Sequence, residues 1–495
     1  MKNPMFSAQG SAQGVARAPE TLGQGATGSW LLPLVTRLHF YIGLLVGPFL
    51  LVAALSGIVY ALTPQLEDAV YHHALYTESR GGALPIGEQI ATAQKIAGAE
   101  ASPAAVRPAP GPGTTTRVMF NVPGMNASEH RAIFIDPVTG AVCGDLTVYG
   151  TSGVLPIRSW LDQFHRGLLL GDAGRLYSEL AASWLWILAL GGLTLWFSRR
   201  RRKRENPAGW NAMAGRRHRV RNWHGTLGVW ALLAVLFFSV TGLTWSQYAG
   251  NNISSLRAYY GWGTPSVSTK LQAQPLLAAH AANSHHDEHA EHRATPPAPQ
   301  ASPALFDAVL EAARTAGVAS TKVEIRPPRS LGTAWTVTEI DRSWPTRVDA
   351  IAIDPRDLSV VDHTRFESFP LAAKLTRWGI DAHMGALFGL PNQLVLILGG
   401  TCIAIMVVWG YMMWWRKRPT RNMPSAPRFS LAALLRRAPL PWLALIISLA
   451  VALGIFLPVM GASLLVFLLW DAVLQWRAGA KAGKAAGAQR PLNRS

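Results

Sequence analysis

Six apolar runs punctuate the chain, at Leu38–Leu62, Leu180–Phe197, Val229–Trp245, Leu394–Trp415, Leu440–Val459 and Gly461–Trp476. The first four approach or exceed the length needed to cross a hydrocarbon layer of ~30 Å. The last two are separated only by a tight region from Pro458 to Gly461, which predicts a helical hairpin. Six crossings put both termini on one side. Between the runs lie two long stretches, roughly 63–175 and 246–392. Both contain short alternating segments, such as Arg131–Asp136 and Ala350–Asp354, that predict strands. Gly87–Gly98 and Leu305–Ala316 predict a helix in each.

Charge fixes the sidedness. The 495 residues hold 46 Lys+Arg and 28 Asp+Glu, a net charge of +18, yet only 15% are charged, against about 25% in soluble proteins. Ten basic residues fall in Arg199–Arg221 and seven in Arg416–Arg437; three more precede Leu38 and five follow Trp476. These clusters abut apolar spans, so the excess reads as a positive-inside signal and not as a nucleic-acid patch. The two long stretches then lie outside. The first run begins too far from Met1, and is too long, for a cleaved signal peptide; it reads as a signal-anchor helix. Two distant cysteines, Cys143 and Cys402, exclude a disulfide framework, and no CxxCH motif is present for covalent haem attachment.

The chain repeats itself. His39, Gly43 and Ser56-Gly57 match His224, Gly228 and Thr241-Gly242 at an offset of 185. Ile135-Asp136-Pro137 matches Ile353-Asp354-Pro355, Trp160 matches Trp378, and His165-x-Gly167-x-Leu169-x-Gly171 matches His383-x-Gly385-x-Leu387-x-Gly389, all at an offset of 218. The unit is helix, outer domain, helix. The second copy has 33 more residues in its outer domain, placed near Gln272–Pro303. The expected organisation is a cytoplasmic N-terminus (1–36, expected to be disordered), a first span (37–63), an outer domain (64–175), a second span (176–198), a basic loop (199–222), a third span (223–246), a second outer domain (247–390) with the insert 272–303, a fourth span (391–415), a basic loop (416–438), a hairpin (439–476) and a cytoplasmic tail (477–495).

Of fourteen histidines, four recur in both copies. His39 and His224 open the first and third spans, each 18 residues before the glycine of a Ser/Thr-Gly pair, which on a straight helix is ~27 Å away. His165 and His383 precede the second and fourth spans. That gives one pair at each membrane face. A single histidine at a membrane edge is ordinarily a packing residue; four in register, each near a glycine (Gly43, Gly228, Gly167, Gly385), suit the axial ligands of two b-type haems. No carboxylate completes a zinc or di-iron set in these helices. A proton relay is the rival reading, weakened by the scarcity of carboxylates within the runs. A separate cluster, His285, His286, His289 and His292, lies in the insert with Asp287, Glu288 and Glu291. It is either a metal-capturing segment or a solvated spacer.

The stretches Leu38-His39 to Tyr60, the string His165-Arg166-Gly167-Leu168-Leu169-Leu170-Gly171-Asp172-Ala173-Gly174-Arg175, and Asn222-Trp223-His224 to Gly242 resemble the PepSY-associated transmembrane proteins. The Ile-Asp-Pro strands resemble the ends of PepSY modules. The similarity covers roughly 37–418. It implies an integral membrane, all-α helical bundle of about six spans carrying two small α+β periplasmic PepSY-like domains, in a bacterial inner membrane. The family includes iron-regulated inner-membrane proteins and haem-containing siderophore reductases. That membership implicates His39, His165, His224 and His383 as haem ligands, and implies transfer of electrons from a cytoplasmic reductase or quinol to a periplasmic ferric siderophore. No GxGxxG or P-loop provides a nucleotide site of the chain's own. Two other functions fit the same pattern: a membrane-anchored, non-enzymatic binding or protease-regulating protein, and a subunit for metal or proton transport.

Overall fold

A computed structural model describes residues 30–98, 101–126, 128–150, 153–205, 216–271, 301–416 and 431–488. Three of its helices are long and apolar enough to cross a membrane: Gly171–Glu205, Leu390–Trp415 and Pro458–Arg477. Two bent helix pairs, Leu31–Leu45 with Gly47–Ala61 (58°) and Arg219–Trp230 with Leu232–Thr244 (61°), are long and apolar enough to add one span each if the two halves of a pair cross together. The expectation of six spans is therefore met in part, with three to five. Leu440–Phe456 is apolar but has only 17 residues.

The two bends obey the duplication: the linking residues Val46 and Ala231 are 185 apart. The first has a visible cause. Pro48 has no N–H to give the Leu44 carbonyl, and its ring crowds that carbonyl. The hydroxyl of Tyr411, from the facing span, donates to the Leu44 oxygen instead. No proline lies at the second bend.

Leu390–Trp415 fits between the two bent pairs because of adjacent glycines. A Cβ on Gly399 would sit 2.8 Å from Phe238, and one on Gly400 would sit 2.9 Å from Ile58. Without a hydrophobic drive between helices in lipid, such small residues permit the close packing that holds a bundle together. The last hairpin is fastened by Asp471. It is buried, accepts hydrogen bonds from Tyr41 and the Leu431 N–H, and lies 3.6 Å from Arg37.

Outside the bundle lies a single antiparallel sheet of eight strands: β1 (Pro103–Arg107), β2 (Thr116–Phe120), β3 (Glu129–Ile135), β4 (Val142–Tyr149), β5 (Val323–Arg326), β6 (Trp335–Glu339), β7 (Ala350–Ile353) and β8 (Val360–Thr364). Their order is β4-β3-β2-β1-β5-β6-β7-β8. Each copy supplies a four-stranded meander, and the two β1/β5 edges join at Val106–Ile325. Two small domains were expected; the structure fuses them. The physical reason is that an unpaired edge strand presents a row of free N–H and C=O groups, and the two edges satisfy each other.

The Ile-Asp-Pro repeats end β3 and β7. Each follows a bulge, between Phe134 and Ile135 and between Ala352 and Ile353. Asp136 accepts hydrogen bonds from Thr77, Ser79 and the Val138 N–H. Burial alone pushes its carboxyl up, but these bonds outweigh burial and hold it well below the usual carboxylate range. Asp354 does the same work through the Arg356 N–H and guanidinium. Four residues beyond each Asp the turn needs a left-handed residue, and Gly140 (φ 72°) and Leu358 (φ 60°) occupy that position.

One face of the sheet is covered by helices Ile86–Ala97 and Leu305–Thr315, which share a core containing Ile90, Val106, Phe306, Val309, Ile325 and Trp335. The halves are also tied by a cap. Asp307 of the second copy accepts the Ile86 and Gly87 N–H groups of the first, at 2.7 and 2.8 Å. Asp307→Ala should cost about 1–2 kcal/mol. The expected readout is an earlier unfolding midpoint of the sheet in denaturant, followed by circular dichroism in detergent, with Asp307→Asn losing less.

Candidate functional site

His39 and His224 come from the two bent pairs, and the fold brings them together with ring centres 6.5 Å apart and planes nearly perpendicular (88°). The His39 Nδ1–H donates to the Leu188 carbonyl at 3.1 Å, which leaves Nε2 with the lone pair. Its ring lies on Gly192, where a Cβ would stand 3.2 Å from Cε1. His224 Nδ1 is buried with no hydrogen-bond partner of normal geometry among the described residues. Both rings line an apolar cavity of about 290 Å³ between the helices. Gly43 and Gly410 also line it, and a Cβ at either would meet nothing within 4 Å. Arg199 and Arg221 belong to the same lining.

His165 and His383 lie at the sheet-side end of the bundle. His165 Nδ1 is 2.9 Å from Ser56 Oγ, and His383 Nδ1 is 2.6 Å from Thr241 Oγ1. Each hydroxyl donates to a carbonyl of its own helix, Val52 and Phe237, so its lone pair accepts the imidazole N–H. The arrangement is the same in both copies and again leaves Nε2 open. Gly57 makes room for His165, since a Cβ there would sit 3.2 Å from Cε1. Tyr60 stacks on His165, with centres 6.4 Å apart, and Phe237, Phe238 and Trp245 surround His383. Among the described residues no ring contact joins His165 to His383.

The bends shorten the distance between the pairs. With ~1.5 Å per residue, the 58° bend at Val46 brings Gly57 to roughly 24 Å from His39 along the first crossing.

His39, with its Nδ1 proton on the Leu188 carbonyl, and His224 beside it suit a metal or haem iron. An imidazole nitrogen binds a metal at about 2 Å, which puts the ring centres of two opposed ligands roughly 6 Å apart. The 6.5 Å of the His39–His224 pair agrees with this. The Nδ1 hydrogen bonds of His39, His165 and His383 are of the kind that orient metal-ligating histidines.

The glycines divide. Gly43 faces the cavity. A Cβ on Gly228 would touch Met406 Sδ at 3.4 Å. Gly167 is instead part of a backbone reversal, packed against Gly174, and Gly385 (φ 76°) is a left-handed residue beside Gln393. Neither of these two lines the described cavity. His285, His286, His289 and His292 lie outside the described residues. The sequence had shown Ser56 and Thr241 only as markers of the repeat; their role as partners of His165 and His383 is a finding of the tertiary structure. Leu188 and Gly192 carried no sequence signal, because a carbonyl partner and a bare ring contact have no residue preference that reads along the chain.

The PepSY-associated TM region matches residues 36–417, from just before His39 to the end of the fourth apolar run. The chain belongs to that family. A comparison with curated proteins finds no match. All four repeated histidines fall within the matched residues, whereas the last hairpin and its Asp471 fastening fall beyond them. The spanning helices and this membership identify a membrane protein.

Proposed function

We propose that this member of the PepSY-associated TM family is a dihaem reductase of the bacterial inner membrane. It passes electrons from the cytoplasmic side, or from quinol, to periplasmic ferric iron held by a chelator of the siderophore class. The observation that carries the reading is the pair of imidazoles 6.5 Å apart in an apolar cavity, with a second histidine pair toward the sheet. Haem iron bound at these residues supplies reversible one-electron chemistry.

The chain's own residues do the rest. His39 and His224 hold one iron, and His165 and His383 the other. The Leu188 carbonyl and the Ser56 and Thr241 hydroxyls keep the Nδ1 proton in place, so that Nε2 stays available to the metal. The leucine and glycine lining gives the His39–His224 pair largely apolar surroundings. The basic segments flanking the spans support a cytoplasmic location for this end under the positive-inside rule, and their charge suits an acidic electron donor. The sheet then stands in the periplasm, where the ferric substrate is met. One electron from the donor reduces one Fe(III) to Fe(II). Oxygen-donor chelators hold Fe(II) less tightly, so the iron is released.

The test uses the full chain purified in detergent and reduced anaerobically. A reduced Soret band that reoxidises on addition of ferric siderophore, with ferrous iron trapped by a chromogenic chelator, is the expected result. Protein that shows no Soret band at all, or haem that stays reduced for minutes with several siderophore classes, overturns the proposal.

A further inference from the structure

Between the sheet and the membrane helices lies a second cavity, about 640 Å³ in volume, a size typical of small-molecule sites. Six arginines line it: Arg107, Arg117, Arg158, Arg326, Arg342 and Arg377. They come from both copies and from two layers. Arg107, Arg117 and Arg326 project from β1, β2 and β5, on the face opposite the shared core. Arg158 and Arg377 come from the helices that carry His165 and His383, Pro156–Gly167 and Leu371–His383.

Among the described residues they share a small set of carboxylates. Glu324 takes Arg107 on one oxygen and Arg326 on the other. Asp381, behind the wall, serves both Arg377 and Arg342. Glu67 pairs with Arg158. Glu339 is engaged by the Ala319 and Ser320 N–H groups. Among the described residues the guanidiniums of the lining thus share Glu67, Glu324 and Asp381 as their ion-pair carboxylates. Arg117 has no carboxylate ion-pair partner among the described residues. Its Nη1 donates to the Gly153 carbonyl at 2.7 Å, and its guanidinium lies 4.8 Å from the Phe134 ring centre. Burial, and then the neighbouring Arg107, lower its pKa to about 9. Glu67 and Glu324 offset this only in part, and a buried cation without an ion-pair partner of its own is costly unless something of opposite charge completes the site. A planar guanidinium fork matches the paired oxygens of a carboxylate or a phosphate, and the shared Glu324, taken by Arg107 on one oxygen and Arg326 on the other, shows this wall holding a carboxylate.

The cavity also touches the proposed redox path. Met384, in its lining, follows His383 directly and receives the Arg342 Nη1 at 3.4 Å. Arg158 lies seven residues before His165 on one helix face.

We infer that this cavity binds an anionic, carboxylate-bearing chelate and holds its metal against the His165–His383 end of the bundle. The iron in that chelate rests on the reductase reading; the anion does not.

The experiment is therefore a binding measurement that needs no electron transfer. Gallium(III) citrate, which cannot be reduced under these conditions, is titrated into the full detergent-solubilised chain by calorimetry, beside the gallium complex of a neutral trihydroxamate and inorganic phosphate. The expected result is saturable binding of gallium citrate that weakens with salt and is not displaced by equimolar phosphate, with the neutral complex at least tenfold weaker. Arg117→Gln and Arg326→Gln should each weaken gallium citrate by about tenfold. Arg131→Gln, at the far β3–β4 edge, should not. Circular dichroism and gel filtration check that each variant is folded. No binding to the folded parent chain, equal affinity for the neutral complex, full displacement by phosphate, or unchanged affinity in both folded cavity variants overturns the inference. Reduction of a neutral ferric chelate without citrate binding would sink this inference and leave the reductase standing. Citrate binding by a chain that takes up no haem would do the reverse.

Discussion

A His39→Ala chain, expressed with ample haem and purified in detergent, is expected to carry about half the haem of the parent, and His224→Ala the same half. His165→Ala and His383→Ala should each remove the other half, and His39→Ala combined with His165→Ala should remove nearly all. The expectation rests on the pairing. His39 and His224 come from different copies and face each other at 6.5 Å, so either loss opens the same site. His165 and His383 are each fixed by a hydroxyl of their own copy, Ser56 and Thr241. Orienting contacts of this kind typically change metal affinity by about 10–100-fold when removed. Thr241→Val should therefore weaken the sheet-side haem by about tenfold and shift its reduction potential, while the spectrum of the other haem stays in place. Haem is counted by the pyridine haemochrome and the two centres are separated by redox titration. A His165→Ala protein with its full haem content and an unchanged reduced spectrum would show the pairing to be wrong.

Gly174→Ala should be among the most damaging single-methyl additions in the molecule. A Cβ at Gly174 would stand 1.8 Å from the Gly167 carbonyl oxygen, and backbone cannot swing aside as a side chain can. The reversal that joins Pro156–Gly167 to the span Gly171–Glu205 is already taut, with Leu168 (φ 51°) and Leu169 (φ 60°) both left-handed, a conformation that costs about 1–2 kcal/mol per residue. Tyr177 and Ser178 close it by donating to the His165 and Arg166 carbonyls. The substitution is expected to cost on the order of 3–5 kcal/mol and to release His165 from Ser56. Folded yield should fall steeply, and the protein that survives should lose the sheet-side haem first. Ala173→Ser, one residue away, is the matched control. A Gly174→Ala chain with parental thermal stability and full haem would show that the turn has slack the geometry denies.

Much of this was legible along the chain because it is local or periodic. The apolar runs, the basic clusters beside them and the two offsets of 185 and 218 follow from composition and spacing alone. The duplication even locates events it does not explain: the breaks at Val46 and Ala231 and the bulges before Ile135 and Ile353 recur at those offsets. The four repeated histidines stood out for the same reason. Proline gave a reason for one bend, yet continuous hydropathy concealed both, since a break in a helix need not interrupt an apolar run.

Tertiary structure decided the partnerships. Which histidine faces which depends on the packing of helices from different copies, and the Leu188 carbonyl that fixes His39 is a backbone group 149 residues away. Fusion of the two meanders depends on edge strands pairing at Val106 and Ile325. An edge gives no sign of its partner in a period-two pattern, because alternation specifies a face and not a neighbour. The arginine cavity follows from that pairing. Arg107 and Arg326 lie 219 residues apart and read singly as ordinary surface charges; only the β1–β5 junction sets them around Glu324, over the ends of the helices that carry His165 and His383.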